Sequence, residues 1–134
     1  MAQQYIRTHR ALYSPAAVGT AETVSLIPVK KGWRILWGDA QARVSSAAST
    51  TATIALQVSS AAGGASGGLL AAKTTVQTVG ALIDLNGSDL AASGGFLCTA
   101  DGTIQATYAI GATPGAVNPQ WHVTLGIVHN EPVA

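Results

Sequence analysis

Two apolar runs within residues 24–44 are separated by the polar break Lys-Lys-Gly at positions 30–32. A glycine at the end of a short polar break is typical of a turn between two strands. In the second run Trp33, Ile35 and Trp37 are spaced two residues apart, so a regular strand places all three on one face. Two indole rings on one strand face have to pack against a second layer or a second subunit. The stretch therefore predicts the central hairpin of an all-β domain.

Further short strands are predicted along the rest of the chain. Three runs alternate apolar and polar residues, as half-buried strands do: Thr51–Val58, Thr103–Ile110 and Trp121–His129. The dipeptides Asn86-Gly87 and Asp101-Gly102 are typical of tight turns, and the Ser/Ala/Gly-rich residues 59–68 predict a flexible loop. About eight short antiparallel strands without a long helix predict a jelly-roll-like β-sandwich. We expect this single domain at residues 20–134, after an extended N-terminal arm at residues 1–19.

The chain carries little charge, and that charge is unevenly distributed. Charged residues make up 10% of the 134 residues, against about 25% in typical soluble domains. Low charge gives a free monomer little protection against association, which favours a component of an assembly. Residues 1–43 hold six basic and two acidic residues (+4), whereas residues 44–134 hold one basic and four acidic residues (−3). One end of the molecule is expected to be positive and to meet an acidic partner, unless the charges are scattered and solvated.

Several function classes lack support in the sequence. A net charge of +1 without a basic cluster argues against nucleic-acid binding. The uncharged stretch 44–72 is too rich in Ser, Thr and Gly to cross a membrane, and the N-terminus lacks the apolar core of a secretory signal. Cys98, the single cysteine, is expected to be a buried, inert thiol.

Catalytic and metal-binding patterns are also missing. The acidic residues of 84–89 lack the bidentate glutamate of a calcium loop. Of the three histidines, His122 and His129 are seven apart and fall on opposite faces of a regular strand, so a site shared with His9 is not expected. There is no nucleophile elbow, phosphate loop or placed pair of carboxylates. We therefore expect no enzymatic activity, no metal and no other cofactor.

The order of several motifs resembles that of small virion proteins of tailed bacteriophages. The sequence Leu-Ile-Pro-Val-Lys-Lys-Gly-Trp-Arg-Ile at 26–35 is followed by a Thr-rich strand at 50–58 and a Gly/Ala loop. Ala-Asp-Gly-Thr-Ile-Gln-Ala-Thr-Tyr at 100–108 and a closing strand at 123–128 complete the pattern. The resemblance covers roughly residues 22–129. It implies a small β-sandwich that decorates or cements a capsid, often as a trimer, with no enzymatic signature.

The resemblance also implies partners and sites. The chain would be made in the host cytoplasm, bind the lattice of the major capsid protein on the virion surface, and form a homotrimer without contacting nucleic acid or membrane. Candidate capsid-docking residues are Tyr5, Arg7, Arg10, Tyr13, Lys30 and Lys31. Candidate subunit-interface residues are Trp33, Trp37 and Trp121, for which ordinary core packing is the alternative. The competing hypothesis is a receptor- or carbohydrate-binding module of a phage tail or fibre, with a site near Trp121, His122 and Asn118.

Overall fold

The computed structural model describes residues 6–16, 20–44, 52–74, 79–90, 94–110 and 119–129. These ranges contain nine strands and one short 3₁₀ turn at Ser60–Ala62. The strands are β1 (Ile6–Tyr13), β2 (Glu22–Val29), β3 (Arg34–Val44), β4 (Thr53–Val58), β5 (Leu70–Thr74), β6 (Leu82–Asp84), β7 (Phe96–Leu97), β8 (Gly102–Ala109) and β9 (Gln120–Val128). No helix in this described part of the chain is long and apolar enough to cross a membrane.

The strands form two antiparallel sheets. The first sheet has the order β1-β9-β3-β6, and the two-residue strand β7 also pairs with β3. The second sheet has the order β2-β8-β4-β5. Apart from β7, successive strands alternate between the two sheets, except that β4 and β5 lie in the same sheet. In each sheet the strand that comes last in the sequence, β9 or β8, is inserted between two strands that come earlier. This strand order is that of a jelly roll, which confirms the predicted fold class.

The core lies between the two sheets and follows the predicted alternation. On β9 the inward side chains are fully buried, as are those of β4 and β8, which face them from the second sheet. The largest of them is Trp121, which pairs in register with the small Ala42 on β3 and with Tyr13 on β1. The small alanine leaves room for the indole between the layers.

The segment predicted as an arm contributes an edge strand. Residues 6–13 pair with β9 over their whole length, from Ile6 opposite Val128 to Tyr13 opposite Trp121. Only Tyr13 is buried among the eight residues of β1. The strand was not recognised because an edge strand with polar residues facing inward lacks the apolar alternation of a half-buried one. Residues 1–5 and 17–19 of the arm lie outside the described residues.

A register shift in β3 separates the two tryptophans of the central hairpin. Ile35 pairs with Ile127 and Trp37 pairs with Gly126, so Leu36 is an extra residue on β3. A bulge of this kind exchanges the two faces for every residue that follows it. Ile35 is fully buried, whereas Trp37 is 44% exposed on the outside of the sheet. The prediction that Trp33, Ile35 and Trp37 share one face is therefore wrong for Trp37.

Candidate functional site

One end of the sandwich carries a basic turn held by an aspartate. Asp101 accepts a hydrogen bond of 3.0 Å from the backbone N–H of Lys31, and its other oxygen lies 3.8 Å from Lys30 Nζ. Gly32 completes the turn with φ +89° and donates its N–H to the Cys98 carbonyl at 2.9 Å. Both lysines are exposed, and an exposed ion pair contributes little to stability. The Lys30 ammonium can therefore exchange Asp101 for an acidic group of a partner at small cost.

Beside this turn, three aromatic rings from distant parts of the chain meet. Trp33 stacks on His129 with ring centroids 3.7 Å apart and an interplanar angle of 9°. His9 on β1 lies 2.7 Å from His129, Nε2 to Nε2. The cluster ties the edge strand to the end of β9 and the start of β3. His9 and His129 were considered as metal ligands or as interface or surface residues, and their contact with each other was not predicted, since it joins residues 120 positions apart.

The histidine pair requires at least one uncharged ring. A hydrogen bond between two imidazole nitrogens needs one ring to donate its N–H and the other to accept with a lone pair, so two protonated rings cannot form it. Burial and then the Arg7 guanidinium lower the pKa of His9 below its usual 6.5. Burial, His9 and Arg7, in that order, lower the pKa of His129 in the same way. The lowered pKa values disfavour protonation of both rings in the folded chain.

This arrangement predicts that acid destabilises the fold. Because both folded-state pKa values lie below 6.5, the unfolded chain binds more protons as the pH falls through that value. The stabilisation is complete above about pH 6.5 and is lost progressively below it. We expect Tm to fall between about pH 7.5 and pH 5.5, and to fall less in the double variant His9→Gln/His129→Gln. Equal slopes for the two proteins would contradict this account.

The outer face of the first sheet, the side turned away from the second sheet, carries most of the large apolar side chains that are exposed among the described residues. Six large apolar side chains are exposed among the described residues, and four of them lie on the first sheet: Ile6 (55%), Leu12 (57%), Trp37 (44%) and Leu82 (65%). The Trp37 indole covers Gly126, where an added Cβ would collide with the ring. Such exposed apolar area is typical of an interaction surface.

A shallow depression lies near one edge of this outer face. Its volume is about 230 Å³, and Leu12, Arg43, Gln120 and His122 line it. The competing hypothesis of a glycan site requires an exposed aromatic ring here. Trp121 is buried in the core and offers no stacking surface, and Asn118 lies outside the described residues.

The structure distributes the predicted docking residues over different parts of the molecule. Lys30 and Lys31 are exposed in the basic turn, and Arg7 is exposed on β1 beside His9 and His129. Arg10 lies on the outer face, because residues three apart on a strand point to opposite sides. Tyr13 is buried, and its hydroxyl donates to Glu22 Oε1 at 2.8 Å. Its side chain is therefore not available to a partner. Tyr5 lies outside the described residues.

The three predicted interface tryptophans also differ in their surroundings. Trp37 is the exposed one, Trp33 is half-buried in the ring cluster, and Trp121 is fully buried between the sheets. Only Trp37 presents a broad apolar surface to solvent, so we retain it as the interface candidate. Trp121 belongs to the core.

The other side chains that were considered as reactive groups or metal ligands have structural roles. Cys98 is buried, and burial raises the pKa of its thiol to about 11, which keeps it protonated at neutral pH. Asp89 accepts a hydrogen bond of 3.1 Å from the backbone N–H of Ala65 and holds a loop. Among the described residues, no three His, Cys, Asp or Glu side chains come together as metal ligands.

Comparison with solved structures identifies two chains that share this fold. One is a chain in the capsid asymmetric unit of cyanophage Pam1, with a TM-score of 0.67 and 14% identity, over 93% of this chain and 85% of that one. The other is a chain in the acidic stable capsid structure of Helicobacter pylori bacteriophage KHP30, with a TM-score of 0.52 and 10% identity, over 94% and 91% of the two chains. No protein-family model and no curated protein matches the sequence.

Proposed function

We propose that this chain is a structural, non-enzymatic protein of a phage virion, which binds the outside of the capsid as a homotrimer and stabilises it. The observation that carries the proposal is the similarity in fold to a chain in a phage capsid, at a TM-score of 0.67 over 93% of the sequence. A fold alone does not determine function. The order of the sequence motifs and the low content of charge point in the same direction.

In this proposal the basic turn and Arg7 form the docking end. Arg7, Lys30 and Lys31 are exposed cations near one end of the sandwich, and an acidic surface on the capsid lattice would complement them. A protein that binds only the assembled lattice stabilises it over dissociated subunits by mass action. A trimer at a site of three-fold symmetry presents the same contact three times, which raises avidity without new chemistry.

A partition experiment tests this function against the tail or fibre alternative. The purified protein is incubated separately with capsids that lack it and with host cells, and the bound fraction is measured after sedimentation. We expect retention on capsids, together with a higher temperature of capsid disruption. Retention on cells but not on capsids would overturn the proposal in favour of a receptor-binding module.

Removal of the docking charges is expected to weaken capsid binding. The triple variant Arg7→Ala/Lys30→Ala/Lys31→Ala should lose affinity by about tenfold or more, equivalent to about 1.4 kcal/mol, since each contact is repeated in a trimer. The loss should shrink at high salt, where exposed charges are screened. The matched control is Lys73→Ala, an exposed lysine on β5 in the second sheet. Unchanged occupancy of the triple variant on capsids would remove this docking surface.

A further inference from the structure

Charged side chains on the outer face of the first sheet form a straight row with opposite signs at its two ends. Arg10 on β1 pairs in register with Thr124 on β9, which pairs with Asp39 on β3, which pairs with Asp84 on β6. Residues that pair across antiparallel strands point to the same side of the sheet. The basic end of the row is therefore at one edge strand and the acidic end at the other.

The acidic end has no compensating partner within the described part of the chain. Asp39 and Asp84 are directly opposite each other, and like charges in this position are destabilising. Neither Arg10 nor Asp84 takes part in an ion pair among the described residues. Three strand spacings, about 14 Å, separate β1 from β6, too far for Arg10 to reach Asp84 in its own chain. The like-charge pair is a local cost that a cation from outside would relieve.

A second row, two residues along the strands, repeats the pattern with apolar ends. Leu12 on β1 pairs with His122, which pairs with Gln41, which pairs with Leu82 on β6. Leu12 and Leu82 are both exposed, and Leu12 lines the depression of about 230 Å³. On each edge strand the charged and the apolar residue are thus two positions apart, about 7 Å.

We infer that the outer face of the first sheet is the contact between copies of this chain, arranged head to tail around an axis parallel to its strands. Rotation about such an axis does not change the position of any residue along the axis. Residues of one row in one copy therefore meet the same row in the next copy. Arg10 then lies opposite Asp84 of the neighbouring copy, and Leu12 lies opposite its Leu82.

The occupant of this face is a second copy because the chain itself carries both halves of the contact. The two edges differ, so the contact is heterologous, and pure rotation about an axis parallel to the strands closes it into a ring. In a ring of three, the outer faces turn towards the axis and Trp37, on the third of the four strands, lies near the middle. The inference deepens the homotrimer proposed above and depends on that proposal only for the number of subunits.

Charge reversal at the two ends of the row tests the contact in the absence of capsids. Sedimentation velocity over a concentration series gives the association of the full chain and of Arg10→Glu, Asp84→Lys and the double variant. We expect each single variant to weaken association at least tenfold and the double variant to recover most of it. Lys73→Glu, which makes the same change in charge as Arg10→Glu but on β5, should associate as the unaltered chain does. Wild-type protein that stays monomeric, or single variants that associate normally, would overturn the inference.

Two further readouts separate an interface from a merely structural role. At a dilution where the unaltered chain and the variant are both monomeric, Asp84→Lys should raise Tm, because it removes the like-charge pair with Asp39. A lower Tm of the monomeric variant together with weaker association would indicate misfolding and count against the contact. An equimolar mixture of the two single variants should not restore a ring of three, because at least one junction joins two copies of the same variant. Full recovery in the mixture would indicate an even-numbered ring and overturn the three-fold arrangement.

The outcome is independent of capsid binding. A variant that is monomeric in solution but still retained on capsids leaves the proposed decoration role intact and supports the assignment of this face to self-association. A protein that forms the ring but is not retained on capsids contradicts the proposed function and leaves the contact between copies standing.

Discussion

Replacement of Trp121 by alanine is expected to lower the free energy of unfolding by about 3–5 kcal/mol. Trp121 is fully buried and has the largest side chain of the described core. Its neighbours in register, Tyr13 and Ala42, belong to strands fixed on both sides of β9. Such a paired framework cannot collapse into the space that the indole leaves, so the loss of contacts adds to the loss of apolar burial. Denaturant unfolding followed by circular dichroism measures the effect.

The matched control is Trp37→Ala in the same sheet. The Trp37 indole is 44% exposed, and its removal should cost the monomer only about 1 kcal/mol. Domains have about 5–15 kcal/mol of total stability, and a loss of this size takes a large share of it. If Trp121→Ala does not purify, Trp121→Phe, which keeps most of the apolar volume, provides the measurement and should show an intermediate loss. Equal losses for the Trp121 and Trp37 variants would contradict the placement of the two rings.

The alternation of apolar and polar residues correctly predicted the strands that have a pairing partner on both sides. The alternation in 51–58, 103–110 and 121–129 predicted β4, β8 and β9 and the faces they bury. These strands lie inside their sheets and are regular over the residues concerned, so a period of two translates directly into inside and outside. The all-β class and the sandwich followed from the number and spacing of such runs.

Features that depend on pairing partners could not be predicted in the same way. The bulge at Leu36 arises from the register between β3 and β9, and nothing in the local sequence marks it. The contact of His9 with His129 and the rows that contain Arg10 and Asp84 require the strand order of the first sheet. That order is set by long-range packing, which a single sequence does not display.

Composition gave no indication of the internal contacts of the Ser/Ala/Gly-rich loop. In residues 59–68, for which flexibility remains a prediction, the N–H of Gly64 donates to the Ser59 carbonyl at 3.1 Å and that of Gly68 donates to the Ala65 carbonyl at 2.9 Å. A Cβ at Gly64 would collide with the carbonyl oxygen of Val58. Glycine is needed here because two backbone segments approach closely. A glycine-rich composition can reflect this requirement as well as flexibility, and it does not distinguish between them.

Replacement of Trp37 by alanine is expected to leave the chain folded and to weaken association between copies by about 30-fold or more, equivalent to about 2 kcal/mol. Trp37 presents an exposed ring over Gly126, and a broad aromatic surface that becomes buried is the usual origin of such a large loss. Sedimentation velocity measures association, and Tm verifies the fold. The control is Ile110→Ala, since Ile110 is 48% exposed and follows β8 in the second sheet. The bulge in β3 turns Trp37 outwards. If Trp37→Ala associated normally, the exposed ring would not belong to the contact between copies, and the bulge would serve only packing within the chain.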